Sequence, residues 1–342
     1  MILKKKKLAG FSLALAVALS FYAVWTRTGR QAAAYQPLLH LPEAPVAVES
    51  SDTRALHVVL IQPYMLPEDY ASHGNFFAKM EGYFQQAQAE GHLSGNALVV
   101  LPEHIGTWLV VAEEKRGAIE AASFRAAGWL LAASNPVRYL RYFVAAPPGA
   151  KRHEFALFRM KSASMQTIYH QTFSTLAKRH GVFIAAGSIV LPDVYVEEGI
   201  IHTRRRGGLF NTSVLYHPDG LADSLPVKKK FPTLPEAGFV VAGGPEDIPV
   251  FDLPGSKVAV VFGADSQQPA AGAHLKKKGV GFVAAISFGK NGEPAERYDG
   301  CRVFFQGKMW DMENGGTSSF FKNGKMAGAA SSGEAFILSE CF

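Results

Sequence analysis

Short apolar runs alternate along most of this chain with longer segments whose apolar residues recur at three- and four-residue steps. His57–Gln62 (HVVLIQ) reads as a buried strand stopped by Pro63. Residues 75–91 carry Phe76, Phe77, Met80, Tyr83, Phe84 and Ala87 at helical spacing. Asn96–Leu101 (NALVVL) predicts a second buried strand, ended by Pro102. Residues 110–165 contain helix-like stretches such as GAIEAASFRAAGWLLAAS and then a Pro- and Gly-broken segment; 166–179 again predicts a helix. Val182–Ile189, Thr212–Tyr216, Lys257–Phe262 and Gly281–Ser287 read as strands, with a short helix over Ala271–Lys278. Strands alternating with helices predict an α/β or layered α+β fold. No long internal repeat appears, and 55–342 reads as one domain.

The amino-terminal pattern differs. Residues 8–25 (LAGFSLALAVALSFYAVW) carry no charge, follow four lysines and precede Arg27 and Arg30. A run of this length is at the short end of what spans a bilayer and longer than most signal-peptide cores. The charge bias places the amino terminus inside, so 1–30 is expected to be a signal anchor and transmembrane helix, with the body on the extracytoplasmic, periplasmic side. Ala32-Ala33-Ala34 offers a cleavage pattern, and a cleaved, secreted form is the alternative. Residues 31–54, rich in Ala, Pro and Glu without periodicity, read as a linker.

Composition changes the picture in two places. The chain has 342 residues, 48% hydrophobic and 19% charged, which excludes a disordered tail or a disulfide-stapled module. Its formal charge of +6 equals the six basic residues of 1–30, where no acid occurs; the rest is balanced. A nucleic-acid binder carries its basic excess in the folded domain, so no nucleic-acid partner is expected. Arg204-Arg205-Arg206 and Lys276-Lys277-Lys278 read as solvated faces. The two cysteines, Cys301 and Cys341, either pair or stay as two buried thiols. The chain has no Cys-x-x-Cys, no His-Glu-x-x-His, no Gly-x-x-x-x-Gly-Lys and no Gly-x-Ser-x-Gly. Neither a metal nor a cofactor is expected. Ser287-Phe288-Gly289-Lys290 and Ser319-Phe320-Phe321-Lys322 fit Ser-x-x-Lys at the rate chance gives, without the companion motifs.

Three short segments carry candidate chemistry. Val99-Val100-Leu101-Pro102-Glu103 puts a carboxylate just past a strand end. Val227-Lys228-Lys229-Lys230-Phe231-Pro232-Thr233-Leu234-Pro235-Glu236 joins a lysine run to an apolar, Pro-containing turn and a glutamate. Lys257–Phe262 leads through Gly263-Ala264-Asp265-Ser266-Gln267-Gln268 to Pro269, a strand, a sharp turn and a helix start. In this order the segments resemble the nitrilase, or carbon–nitrogen hydrolase, superfamily. Phe210-Asn211-Thr212-Ser213, His217-Pro218-Asp219-Gly220 and, loosely, Asn314–Ser319 resemble its flanking strands.

The resemblance covers roughly 55–330. It implies an α-β-β-α sandwich that pairs into a homodimer and takes a small amide or nitrile ligand. Glu103 is then the general base, Lys229 the lysine that faces the anionic intermediate, and Glu236 the accessory glutamate; Lys228 and Lys230 stand as alternative registers. Ala264, Asp265 and His104 are expected to line the ligand pocket. The superfamily's nucleophile is a cysteine, and its position here is Gly263. The resemblance therefore implies either a domain that binds without covalent chemistry, as a binding or scaffold module, or one in which Glu103 activates water. Acyl transfer, known from a membrane member of the superfamily, ranks below both.

Overall fold

In the computed structural model, residues 2–30, 34–42, 55–93, 97–244, 248–266, 268–289, 299–313 and 315–342 are described, those at 2–10 and 269–271 by their backbone alone. Helix α1 spans Ile2–Arg27, strand β1 His57–Gln62, α2 His73–Ala89 and β2 Leu98–Val100. Four helices follow: α3 (Arg116–Ile119), α4 (Phe124–Ser134), α5 (Pro136–Val144) and α6 (Arg152–His180). Next come β3 (Phe183–Ala185), β4 (Ile189–Pro192), β5 (Val194–Glu197), β6 (Ile200–Thr203), β7 (Leu209–Ser213), β8 (Leu215–Tyr216) and β9 (Val227–Lys228). Then β10 (Val250–Leu253) and β11 (Ser256–Phe262) lead into the turn α7 (Gly263–Ser266), α8 (Pro269–Lys277) and β12 (Phe282–Ile286). The chain ends with β13 (Gly300–Val303), β14 (Lys308–Met309), β15 (Met312–Glu313), β16 (Ser319–Lys322), β17 (Lys325–Ala329) and β18 (Phe336–Cys341).

Two sheets form the body, in the orders β18-β1-β2-β3-β8 and β10-β11-β12-β13-β16-β17. Each has a parallel core, β1-β2-β3 or β11-β12-β13, flanked by antiparallel strands. Strand alternation explains the layering. Val58, Leu60, Leu98 and Val100 point one way and meet Val258, Val260, Phe262, Phe282 and Ile286 between the sheets. Val59, Ile61, Val99 and Ile184 point the other way, onto Phe76, Met80 and Phe84 of α2 and Met165, Tyr169 and Phe173 of α6. On the far side Ala259, Val261, Val283 and Ala285 receive Leu275 of α8. The result is an α-β-β-α sandwich. Strands buried on both faces need the unbroken apolar runs read from the sequence.

Several elements differ from expectation. Helix α6 is 29 residues long and begins at Arg152, well before the predicted 166. The single strand predicted over 182–189 is two, because Gly187 takes a left-handed φ of 61° between them. Strand β18 pairs antiparallel with β1, from His57↔Cys341 to Gln62↔Phe336, and no sequence signal announced it.

Among the described residues no helix is long and apolar enough to cross a membrane. The apolar run 8–25 expected as an anchor begins inside 2–10, where the backbone alone is described. From residue 11 onward the apolar side chains of α1, among them Phe11, Leu13, Leu19 and Val24, are exposed. Of the expected linker, 31–33 and 43–54 lie outside the described residues, as do Gln267, Lys290 and Asn314 of the short motifs. Residues 34–42 lie against the body: Tyr35 donates to Asp69 at 2.5 Å, and the Leu39 carbonyl accepts from Tyr83 at 2.8 Å.

Candidate active site

Glu103 sits three residues beyond β2, at the end where the parallel strands finish. The Leu101 amide still pairs with Ala185, and the chain then turns. Ser188 holds the turn: its hydroxyl accepts from the His104 amide at 2.8 Å and its carbonyl from the Gly106 amide at 2.9 Å. Gly187 is required here, since a Cβ at that position would lie 2.1 Å from the Pro102 carbonyl oxygen. His104 itself has φ 64°, a conformation that a non-glycine residue keeps only when its surroundings impose it.

Lys229 follows β9, an edge strand of the small sheet β4-β7-β9. Its amide pairs with the carbonyl of Asn211 on β7, at 2.9 Å. Its ammonium donates to Glu103 Oε1 at 2.7 Å and to Glu236 Oε2 at 2.6 Å. Thr233-Leu234-Pro235-Glu236 forms a turn in which Glu236 Oε2 reaches back to the Thr233 amide and hydroxyl, at 2.7 and 2.8 Å. Of the three lysines, Lys229 is the one whose ammonium contacts both glutamates. Lys228 is directed away to Asp193, at 2.6 Å, and Lys230 borders a separate cavity of about 420 Å³ shared with Asp193, Arg204 and Asp265.

Asn211 completes the cluster. Its Nδ2 donates to Glu103 Oε1 at 2.9 Å and to Glu236 Oε1 at 2.8 Å, so one amide bridges two carboxylates. His104 Nε2 lies 3.3 Å from Glu236 Oε1, and its Nδ1 meets Thr107 Oγ1 at 2.9 Å. The side chains of Glu103 and Lys229 are each 1% exposed, so these charges depend on one another and on hydrogen bonds rather than on water. Burial works against the Lys229 ammonium, but the two carboxylates outweigh it and hold the lysine above its ordinary range. Burial would likewise raise Glu236; the hydrogen bond and charge of His104, then Lys229, outweigh it and hold this carboxyl far below the usual range. One Glu103 oxygen, Oε2, is buried without a hydrogen-bond partner.

The other side of the site comes from the second sheet. Strand β11 ends at Phe262, and Gly263 opens the turn α7. Two residues on, Asp265 accepts from the Lys230 amide at 2.8 Å and the Phe231 amide at 2.9 Å, locking this turn to the lysine segment. Asp265, expected to line the ligand pocket, has both oxygens engaged by backbone amides and also borders the cavity beside Lys230. Burial raises its carboxyl to about 6, against the two amides and Lys229, which pull the other way. Ala264 is half-buried in the same turn. The register Phe262↔Ile286 makes Ser287 the strand-tip neighbour of Gly263. The next residue, Phe288, packs edge-on against His104 at 5.0 Å between ring centroids and close to Trp108.

The structure thus brings Glu103, His104, Lys229 and Glu236 into contact, with Gly263, Ala264 and Asp265 joined to them through the lysine segment. Neither cysteine takes part. No disulfide joins them; Cys301 is buried between the sheets, where desolvation pushes its thiol far above the usual range, and Cys341 lies on the outer strand β18. Single ligating atoms of Glu103, His104 and Glu236 lie within 4.8 Å of one another, a spacing that would admit a cation, but the Lys229 ammonium already contacts both carboxylates. Sequence reasoning did not find Asn211, Thr233 or Ser287. The one available signal was Asn211 itself, a strongly polar residue inside a strand.

No family model and no curated protein matches this sequence. Solved structures do. A double mutant of the amidase from Nesterenkonia sp. AN1, in complex with acrylamide, is 12% identical at a TM-score of 0.57, covering 86% of this chain and 93% of that one. A single-site mutant described as a Nesterenkonia AN1 amidase from the nitrilase superfamily is 12% identical at 0.55, covering 84% and 91%. A further mutant of the Nesterenkonia sp. AN1 amidase, in complex with butyramide, is 13% identical at 0.54, covering 84% and 91%. Over 84–86% of its length, then, this chain has the fold of the nitrilase-superfamily amidases.

Proposed function

We propose that this chain is a carbon–nitrogen hydrolase-like domain that takes up a small amide or nitrile compound at the Glu103–Lys229–Glu236 cluster, without the superfamily's cysteine route. The observation that carries the reading is the buried cluster itself. Two carboxylates, one lysine and a bridging asparagine are held at the strand ends, with one Glu103 oxygen left open. Lys229 is placed to stabilise negative charge developing on a carbonyl oxygen, and Glu103 to accept a proton. Gly263 offers no side chain to attack with, so catalysis through residue 263 is absent. The second reading, a pure binding module, is favoured by that same glycine.

The reading includes attachment by the amino-terminal helix, supported by the exposed apolar side chains of α1 and the four lysines in its first turns, with the domain on the extracytoplasmic side. It also includes pairing of two sandwiches, implied by the sequence resemblance. Ammonia release and thermal shift over a panel of small amides and nitriles test the core of the proposal. Binding or turnover that Glu103→Gln removes supports it. A panel that neither binds nor reacts, with Gly263→Cys equally silent, overturns it.

A further inference from the structure

The buried polar atoms without a hydrogen-bond partner include one on each side of the site, Glu103 Oε2 past β2 and Ser287 Oγ past β12. Ser287 is fully buried. A Cβ built on Gly263 would lie 2.4 Å from Ser287 Oγ and 3.2 Å from Ser287 Cβ. A reactive atom borne on residue 263 would sit one bond beyond that Cβ. The Ser287 hydroxyl therefore stands in the volume that a side chain at 263 would fill. Buried hydroxyls in proteins are nearly always bonded, and one left open needs an explanation. The Ser266 hydroxyl, in the neighbouring turn, is engaged by the Gly263 carbonyl at 2.8 Å and has no such freedom.

We propose that Ser287 is the nucleophile of this site, acting on small carboxylic amides in place of the side chain that Gly263 lacks. The proposal rests on the amidase-like reading above. Ser287 Oγ attacks the carbonyl carbon and its proton passes to Glu103 Oε2, directly or through one water. The carbonyl π pair becomes an oxyanion facing the Lys229 ammonium. Collapse breaks the C–N bond, Glu103 returns the proton to the leaving nitrogen, and an ester remains on Ser287. A water deprotonated by Glu103 then cleaves the ester, releasing the carboxylic acid and restoring the hydroxyl. Glu103 Oε1 stays with Lys229 and Asn211 throughout, so the two oxygens divide positioning from proton transfer.

The test is sulfonylation of the detergent-solubilised full chain by methanesulfonyl fluoride, a small serine-directed reagent that forms an O–S bond and releases fluoride. Adducts are mapped by peptide mass. One sulfonyl group on Ser287 is expected, absent in Ser287→Ala, retained in Ser266→Ala and formed at least tenfold more slowly in Glu103→Gln. An unmodified chain, an adduct at another residue, or a rate indifferent to Glu103→Gln overturns the proposal. The paired variant Gly263→Cys with Ser287→Ala separates the two levels. Amide hydrolysis by that variant, beside an unlabelled native chain, leaves the amidase-like reading standing and removes Ser287. Silence in both, with no amide bound, removes both.

Discussion

Two of the buried glutamate clusters among the described residues, those of Glu114 and Glu103, are built to different plans. Glu114 is surrounded: Lys161 at 2.8 Å, Arg30 at 2.8 Å, Ser134 at 3.1 Å and the Asn135 amide at 3.0 Å from each oxygen. One carboxylate meets two cations, and neither of its oxygens is left open. At Glu103 the count is reversed, with two carboxylates sharing one lysine and one oxygen unpartnered. A closed cluster resolves its desolvation internally and serves the fold. An open one keeps an acceptor in low dielectric, which is costly unless something is to bind there.

The largest expected effect breaks the second plan outright. Lys229→Met leaves two buried carboxylates facing each other and destabilises the fold by about 3–5 kcal/mol. Part of this returns on acidification, when one carboxylate takes a proton; urea melts at two pH values check it. Asp265 comes next. Its folded carboxyl is raised to about 6 from 3.8, so the fold binds this proton more tightly than the unfolded chain. Its contribution to stability is therefore greatest below the unfolded value and falls as pH rises to about 6, by roughly 3 kcal/mol. Asp265→Asn should flatten that window in a stability–pH profile. Glu236, held low, works in the opposite direction, its stabilisation fading as pH falls, so the difference between variant and parent is the informative curve.

Glu114→Gln should cost roughly 1.5–3 kcal/mol in a denaturant melt, yet leave amide affinity unchanged. An equal loss of affinity would erase the distinction between the clusters. The smallest effect is at Gly263. Gly263→Cys pushes its Cβ against Ser287 Oγ, which must rotate, at a cost of about 1 kcal/mol. Adding Ser287→Ala should recover most of that in thermal melting.

Much of this was legible in the sequence where one residue type answers one local need. HVVLIQ is apolar on both faces, and β1 has the predicted bounds. Glu103, Lys229 and Glu236 were singled out by the resemblance of their segments to the superfamily's; the local pattern alone showed a strand end and a proline-marked turn. Helix α6 was cut short because its first half mixes buried Arg159 and Lys161 into the apolar face, hiding the period. Asn211 and Ser287 stayed hidden for another reason. Asn211 meets Glu103 across 108 positions, and Ser287 matters only because β11 and β12 lie side by side in one register. Such roles are created by pairing, which no local pattern encodes.

The Arg30–Glu114 contact also has a mechanical side. Helix α1, about 39 Å long at 1.5 Å per residue, is fastened near its carboxyl end at several points. Tyr22 reaches the Ala133 carbonyl, Lys115 reaches the Trp25 and Thr28 carbonyls, and Arg30 enters the Glu114 cluster. That makes the helix a mast rather than a tether. Turning the body about the mast breaks these contacts at its foot.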